Sequence, residues 1–364
     1  MSNVPLKGIR VLDLSPYLPS QYCSMLLSDL GAEVLLIEKP GPKKDAFPGL
    51  FELVNRGKKS LDLDLKSEQG REAFYKLAEK SDVILEGFRP GVVSRLKIGY
   101  EDIHKIKHDI IYCSISGFGQ DGPYRDRPGH DVNYLALGGY LSLPGQIGIS
   151  PSRPGIPLVD LCSSMFATVS VLSAVLVKNK SGKGQFIDVS MLDAITSWTS
   201  TRFGKYLIMG EPITDDHIIA TNDVFKTKDN KAVTLGIVIE EAFWKNFCEV
   251  IDRGDLSMDI RFSTHESRME NREELSMILR DIFLGKTRDE WLDLFKNTDV
   301  PLTPAHTAEE VFSDQQILHR GLMKKIVDPI SGEIKVLGFP VKFSDIATEI
   351  QPSTPRAAQS PDKE

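Results

Sequence analysis

Residues 9–38 read IRVLDLSPYLPSQYCSMLLSDLGAEVLLIE, and their pattern decides the fold. The first six, IRVLDL, make a short apolar strand. Pro19 opens a helical stretch that Gly31 stops, and EVLLIE (33–38) is a second strand. The alternation continues outward. KSLDLDL (59–65) repeats with a period of two, as an extended sheet edge does. Ser67 caps a helix running to about Lys80. DVILE (82–86) and IIYCSI (110–115) are further strands, with a helix over 100–107 between them. A long apolar helix follows over 161–177, and QFIDV (185–189) is another strand. Strands that alternate with helices form a parallel sheet with crossover connections, so the class is α/β with a Rossmann-like large domain.

The pattern changes after residue 196, and the organisation expected is as follows. Residues 1–196 form the large domain, and 197–223, which lack a clear apolar stripe, form a linker. Residues 224–322 form a smaller α+β domain with amphipathic helices around 243–251, 273–283 and 288–295. Residues 323–351 return to the large domain. The last stretch, 352–364, is rich in Pro, Ser and charge and reads as a disordered tail.

The balance of 44 Lys+Arg against 51 Asp+Glu gives a net charge of −7. A general nucleic-acid binder needs a basic surface, so that class is disfavoured. Cys23, Cys113, Cys162 and Cys248 are scattered and form no CxxC pair, which disfavours a zinc or dithiol site. Residues 1–10 hold no apolar signal core, and a cytoplasmic location is expected. Residues 161–177 carry no formal charge, but the stretch is short for a span and rich in Ser and Thr. It reads as a buried helix, not a membrane anchor.

GFGQDG (117–122) matches GxGxxG, yet Pro123-Tyr124-Arg125 follows it where a dinucleotide site needs a helix N-terminus. No P-loop, HExxH or GxSxG motif occurs. His130 opens a new element after an irregular Gly- and Pro-rich loop, where catalytic groups concentrate, and histidine is the residue type best suited to proton transfer near physiological pH. Asp160 stands at the start of the long helix. By position it reads first as an N-cap, and the same geometry also suits an acid–base group whose proton affinity apolar walls raise. Glu240 and Glu241 follow the strand VTLGIVI, and nothing local separates them. The clusters at Lys39–Lys44 and Arg56–Lys59 are either solvated surface or a phosphate subsite.

Together these segments resemble the class III CoA-transferase superfamily, and within it most closely the α-methylacyl-CoA racemases. The blocks that carry the resemblance are LKGIRVLDLS (6–15), LLSDLGAEVLLIEKPG (26–41), NRGKKSLDLDLK (55–66), SDVILEGFRPGV (81–92), SISGFGQDGPY (114–124), GHDVNYLALGG (129–139) and SGKGQFIDVSMLD (181–193). TLGIVIEEAFW (234–244) and DVPLTP (299–304) extend it more weakly. The resemblance implies an interlocked homodimer that acts on an acyl-CoA thioester, with CoA as part of the substrate and no metal or other cofactor. It implies His130, Asp160 and Glu240 as the catalytic set, with Glu241 as the alternative to Glu240. It also implies CoA contacts from Lys39, Arg56, Leu63, Asp64, Leu65, Lys66, Arg89, Gly129, Asp131, Asn133 and Tyr134. Neither nucleic acid nor membrane is an expected partner.

Three features point to the racemase branch. His130 replaces the bulky apolar or aromatic residue usual in transferases. Leu18 stands where oxalate-type transferases carry a glutamine, and no transferase-like glycine run occurs near Gly236. One feature departs from it: Leu161-Cys162-Ser163-Ser164 follows the aspartate where racemases are Gly-rich. Epimerisation would then use a base on one face of the α-carbon and an acid on the other, with N–H groups at 160–162 holding the enolate oxygen. The transferase alternative makes Asp160 a nucleophile.

Overall fold

The computed structural model describes residues 4–41, 47–143, 145, 152–328 and 332–346. The expected tail at 352–364 lies outside them, as do Lys43 and Lys44.

The first unit begins with β1 (Arg10–Asp13), α1 (Leu18–Asp29), β2 (Glu33–Glu38), α2 (Leu50–Asn55), β3 (Lys59–Asp62) and α3 (Glu68–Glu79). It continues through β4 (Val83–Glu86), α4 (Val92–Arg95), α5 (Tyr100–His104), β5 (Ile111–Ser116), α6 (Asp131–Leu137), α7 (Leu158–Ser181), β6 (Gln185–Ser190) and α8 (Met191–Thr199). The six strands form one sheet in the order β3-β2-β1-β4-β5-β6, every pairing parallel. The order reverses between β1 and β4, and open α/β sheets bind ligands beyond the carboxyl ends of strands at such a switch point. β4 and β5 are buried along their whole length, which explains the apolar residues at successive positions in Val83–Leu85 and Ile111–Cys113. A core of Leu12, Ile37, Phe74, Ile84, Ile103 and Tyr112 covers one region of the sheet. Ser67 does cap α3, accepting the Gly70 N–H at 2.9 Å.

The second unit contains α9 (Gly204–Met209), β7 (Asn222–Lys226), β8 (Ala232–Gly236), α10 (Glu241–Val250), α11 (Gly254–Met258), α12 (His265–Glu270), α13 (Arg272–Phe283), α14 (Arg288–Phe295), β9 (Leu302–Pro304) and α15 (Ala308–Val311). β7, β8 and β9 form an antiparallel sheet. The core is aromatic: Phe225 stacks on Phe283 at 4.5 Å between centroids, beside Trp244, Phe247, Trp291 and Phe295. The chain ends its described course in α16 (Gln315–Arg320) and a hairpin of β10 (Met323–Asp328) and β11 (Gly332–Leu337).

The division into units differs in detail from the expected boundaries. The first unit comprises residues 1–140, 154–201 and 315–364, and the second comprises 141–153 and 202–314. The stretch read as a linker holds the end of α8 and the short helix α9. The side chains of Tyr206, Leu207, Ile208 and Met209 on α9 are exposed, so its apolar residues make no amphipathic stripe.

Among the described residues, α7 alone is long and apolar enough to cross a membrane. It buries one face through Cys162, Ala167, Val171, Ala174 and Val175. Met165, Phe166, Val169, Leu176 and Val177 on the other face are exposed, so the helix expected to be buried is buried on one side only.

Candidate active site

Loops after the first four strands enclose a cavity of about 580 Å³ within the first unit. Leu14, Ser15 and Pro16 come from the end of β1, Lys39 from β2, Leu63, Asp64, Leu65 and Lys66 from β3, and Phe88 from β4. This is the switch point that the strand order defines. Five of the expected CoA-contact residues line the cavity: Lys39, Leu63, Asp64, Leu65 and Lys66. Arg95 also lines it. The sequence reading passed over Arg95 because it sits alone on α4, outside the two basic clusters.

Below the cavity lies a buried polar network. Lys58 is fully buried, with Nζ 3.6 Å from Asp13 and donating to Asn55 Oδ1 at 2.7 Å and the Gln21 carbonyl at 2.8 Å. Burial pulls the Lys58 ammonium down to about 8, against the attraction of Asp13. Gln21 in turn donates to the Ser15 carbonyl at 3.2 Å, so the network orients two residues of the wall.

Arg56 requires a correction. Its side chain is buried, with Nη2 paired to Asp29 at 2.5 Å and Nη1 donating to the Leu53 carbonyl at 2.6 Å. A guanidinium held this way is part of the interior and does not face the cavity. Burial pushes Asp29 up to about 6 despite that partner.

Glu86, also missed by the sequence reading, ends β4 and is buried. It accepts from the Ser114 hydroxyl and, at 2.7 Å, from the Phe88 N–H, and burial pushes it up to about 7. Gln120 donates to Ser114 at 2.7 Å. The set ties Phe88, a cavity residue, to the loop after β5. Arg89 is exposed and is not part of the cavity lining, although its charge reaches the Tyr134 hydroxyl.

The two candidate proton-transfer groups stand at the starts of α6 and α7, which a hydrogen bond joins. His130 is the N-cap of α6, exposed, and its backbone N–H donates to Asn133 Oδ1 at 2.9 Å. Asp160 is the third residue of α7, not its cap, because the helix begins at Leu158. The capping is done from α6: Asp131 Oδ2 accepts the Val159 N–H at 2.8 Å. Asp131 follows His130 and Val159 precedes Asp160, so one hydrogen bond holds the pair's neighbourhood together. Burial, and then the Asp131 charge, push Asp160 up to about 7. Ser164 on the next turn donates to the Pro19 carbonyl at 2.7 Å, pinning the start of α7 to the start of α1. Ser15, Pro16 and Gln21, on either side of Pro19, belong to the cavity wall.

The rest of the GHD block supports this joint and takes no part in the cavity wall. Asp131 and Tyr134 are buried, and Asn133 caps α6. A Cβ on Gly117 would come within 2.2 Å of the Tyr134 hydroxyl, and one on Gly129 within 2.7 Å. The first glycine of the GxGxxG match therefore admits a tyrosine. Of the N–H groups expected at 160–162, that of Leu161 is already donated to the Pro157 carbonyl at 3.1 Å.

In the second unit Glu240 and Glu241 separate. Glu240 is the N-cap of α10, and its Oε2 accepts the N–H groups of Val238 at 3.0 Å and Ile239 at 3.1 Å. Its own N–H and these two hold its carboxyl below the usual range. Glu241 accepts the His265 N–H at 2.6 Å and pairs at 2.8 Å with Arg268, which is buried. Glu241 is thus committed to holding α12, and Glu240 is the freer carboxylate.

Comparison with known proteins agrees with this architecture. The profile of CoA-transferase family III matches residues 6–360. Human succinyl-CoA:glutarate CoA-transferase is 35% identical over 359 residues, covering 94% of this chain and 82% of that protein. Human alpha-methylacyl-CoA racemase is 32% identical over 330 residues, covering 87% and 81%. The solved structure of a CAIB/BAIF family protein from Brucella suis superposes with a TM-score of 0.84 at 28% identity, covering 97% of this chain and 96% of that one. A parallel sheet with a cavity at its switch point, a carboxyl group at the start of the long helix and a profile match over nearly the whole length lead to one assignment: the chain belongs to CoA-transferase family III.

Proposed function

We propose that the chain is an acyl-CoA racemase acting at the α-carbon of a 2-methylacyl-CoA. One observation carries the reading: Asp131 caps α7, which leaves the half-buried Asp160 carboxyl free of that cap and close to neutrality in proton affinity, at the joint of α7 with the helix that His130 opens. One group removes the α-hydrogen as a proton, the carbonyl oxygen takes up the charge as an enolate, and the other group returns a proton to the opposite face. A base matched to the working pH supplies about 10²–10⁴-fold. The N-terminal dipole of α7 favours the enolate charge. Lys39, Lys66 and Arg95 bind the CoA phosphates from the cavity wall, and Glu240 is the third group of the proposed catalytic set.

A second reading has its own support, because the human relative at 35% identity is named a CoA-transferase. There the Asp160 carboxylate attacks the thioester carbonyl and CoA leaves as the thiolate, giving a mixed anhydride. The thiolate then attacks the aspartyl carbonyl and frees the first acid, and a second acid reverses the sequence. Incubation with a 2-methylacyl-CoA in D₂O, with and without a free acid, separates the two. Deuterium at the α-carbon and mixed epimers without added acid support racemisation. CoA transfer without exchange, unaffected by His130→Ala, rejects it.

The dimer expected from the resemblance is proposed through α7. Its exposed stripe of Met165, Phe166, Val169, Leu176 and Val177 is apolar enough to be covered by a second copy. Sedimentation at low micromolar concentration should give twice the chain mass, and Val169→Glu should reduce it to one. A fully active monomer would reject this arrangement.

A further inference from the structure

We propose that Asp131 is a positioning residue for Asp160: it caps α7 in Asp160's place and keeps a buried carboxylate charge beside it. The inference deepens the racemase reading and rests on it. Asp131 is 7% exposed. Its Oδ2 is used on the Val159 N–H, while Oδ1 is buried and has no hydrogen-bond partner among the described residues.

A cap alone does not require this arrangement. Asn or Ser accepts an N–H as well as Asp does, and neither buries a charge. The α7 dipole offsets part of the cost of that charge, but an unbonded buried carboxylate oxygen remains unfavourable. The consequence visible in the structure is at Asp160, where a like charge makes ionisation harder. The other titratable groups near this point are Tyr134 on α6 and Cys162 on α7, with Arg89 acting on Tyr134 and His130 adjoining Asp131 in the chain. Burial raises Tyr134 and Cys162 far enough that both stay neutral at pH 7, so Asp131 supplies the nearby negative charge.

The substitution Asp131→Asn separates charge from capping, since its amide oxygen still accepts the Val159 N–H. Deuterium exchange is measured from pH 5 to 9 in both proteins, and the γ-carbon resonance of Asp160 is titrated by ¹³C NMR, assigned by its loss in Asp160→Asn. The expected result is a wild-type midpoint near pH 7 that moves to more acid pH in Asp131→Asn, on the order of one unit, with little change in melting temperature. If the Asn variant folds poorly, Asp131→Ser offers a smaller neutral acceptor for the same titration. An unmoved Asp160 midpoint in a folded neutral variant overturns the proposal and leaves Asp131 as a helix cap only. Failure of the racemase reading shows separately, as absence of exchange in the wild type, and the NMR titration still decides the role of Asp131.

Discussion

Asp160 is the third residue of α7, and Glu240 is the residue just before α10. Both are carboxylates at a helix N-terminus, where the dipole favours the ionised form. Glu240 follows that rule: three backbone N–H groups hold its proton affinity down, and it is exposed. Asp160 goes the other way, up to about 7, because burial and the neighbouring Asp131 outweigh the dipole. Position on a helix therefore does not set the chemistry of a carboxyl group. The partner that takes the first-turn N–H does: Asp131 takes it at α7, whereas Glu240 turns back on its own loop.

The largest test of this contrast is activity. Asp160→Ala should lower racemisation by about 10²–10⁴-fold, the range for removing a placed acid–base group. His130→Ala should do the same for one direction of proton transfer more than the other. Glu240→Gln should cost less, since a charge held low by backbone N–H groups is a poor proton donor. Equal losses from Asp160→Ala and Glu240→Gln would erase the distinction.

Stability offers a test of opposite sign. Folded Asp160 holds its proton more tightly than the unfolded chain does. Its favourable contribution is complete below the ordinary value of 3.8 and is lost as pH rises through about 7. The full swing is at most about 4 kcal/mol. Asp160→Asn should therefore melt several degrees above wild type at pH 8 and close to it at pH 5. Glu240 has a depressed proton affinity, so its contribution is present above the ordinary glutamate value and disappears as pH falls through its folded one. Glu240→Gln should give no stabilisation at pH 8. Thermal melts of both variants across pH 5–8 check both signs, and a destabilised Asp160→Asn at pH 8 would contradict the buried-acid reading.

Two arginines of the first unit, Arg56 and Arg95, sharpen the same lesson about partners. Arg56→Met leaves Asp29 buried without its guanidinium and should cost about 3 kcal/mol of stability. Arg95→Met should leave the melting temperature nearly unchanged and raise the KM for an acyl-CoA several-fold. Were the two effects exchanged, Arg56 would be the CoA contact after all.

The sheet was legible because its strands are short, mostly apolar or alternating segments set off by helix and turn signals. β4 and β5 are buried along their whole length, and each opens with three successive apolar residues. His130 and Asp160 were legible as residue types in unusual settings. Side-chain commitments were not. Arg56 looks like any surface arginine until Asp29, far away in the chain, is folded against it. The cap of α7 comes from Asp131 on another helix, so inspection of the residues just before Leu161 finds only Asp160. Arg95 gave no signal because a single basic residue on a short helix is ordinary. The role of Gly117 depended on a tyrosine brought from α6.

The smallest expected effect separates the adjacent glutamates. Glu241 bonds the His265 N–H and the buried Arg268, and Arg268 keeps a second bond to the Phe262 carbonyl. Glu241→Gln preserves an acceptor for the N–H but removes the charge opposite Arg268, so it should cost roughly 1–2 kcal/mol, less than a fully buried pair because Glu241 is half exposed. That loss should appear as a lower melting temperature with kcat nearly intact. Glu240→Gln should show the reverse, since its carboxylate holds only two loop N–H groups that an amide oxygen can still accept. Its melting temperature should stay close to wild type while kcat falls. Measuring both quantities on both variants decides the assignment, because a catalytic Glu241 would lower kcat with Glu240→Gln left active.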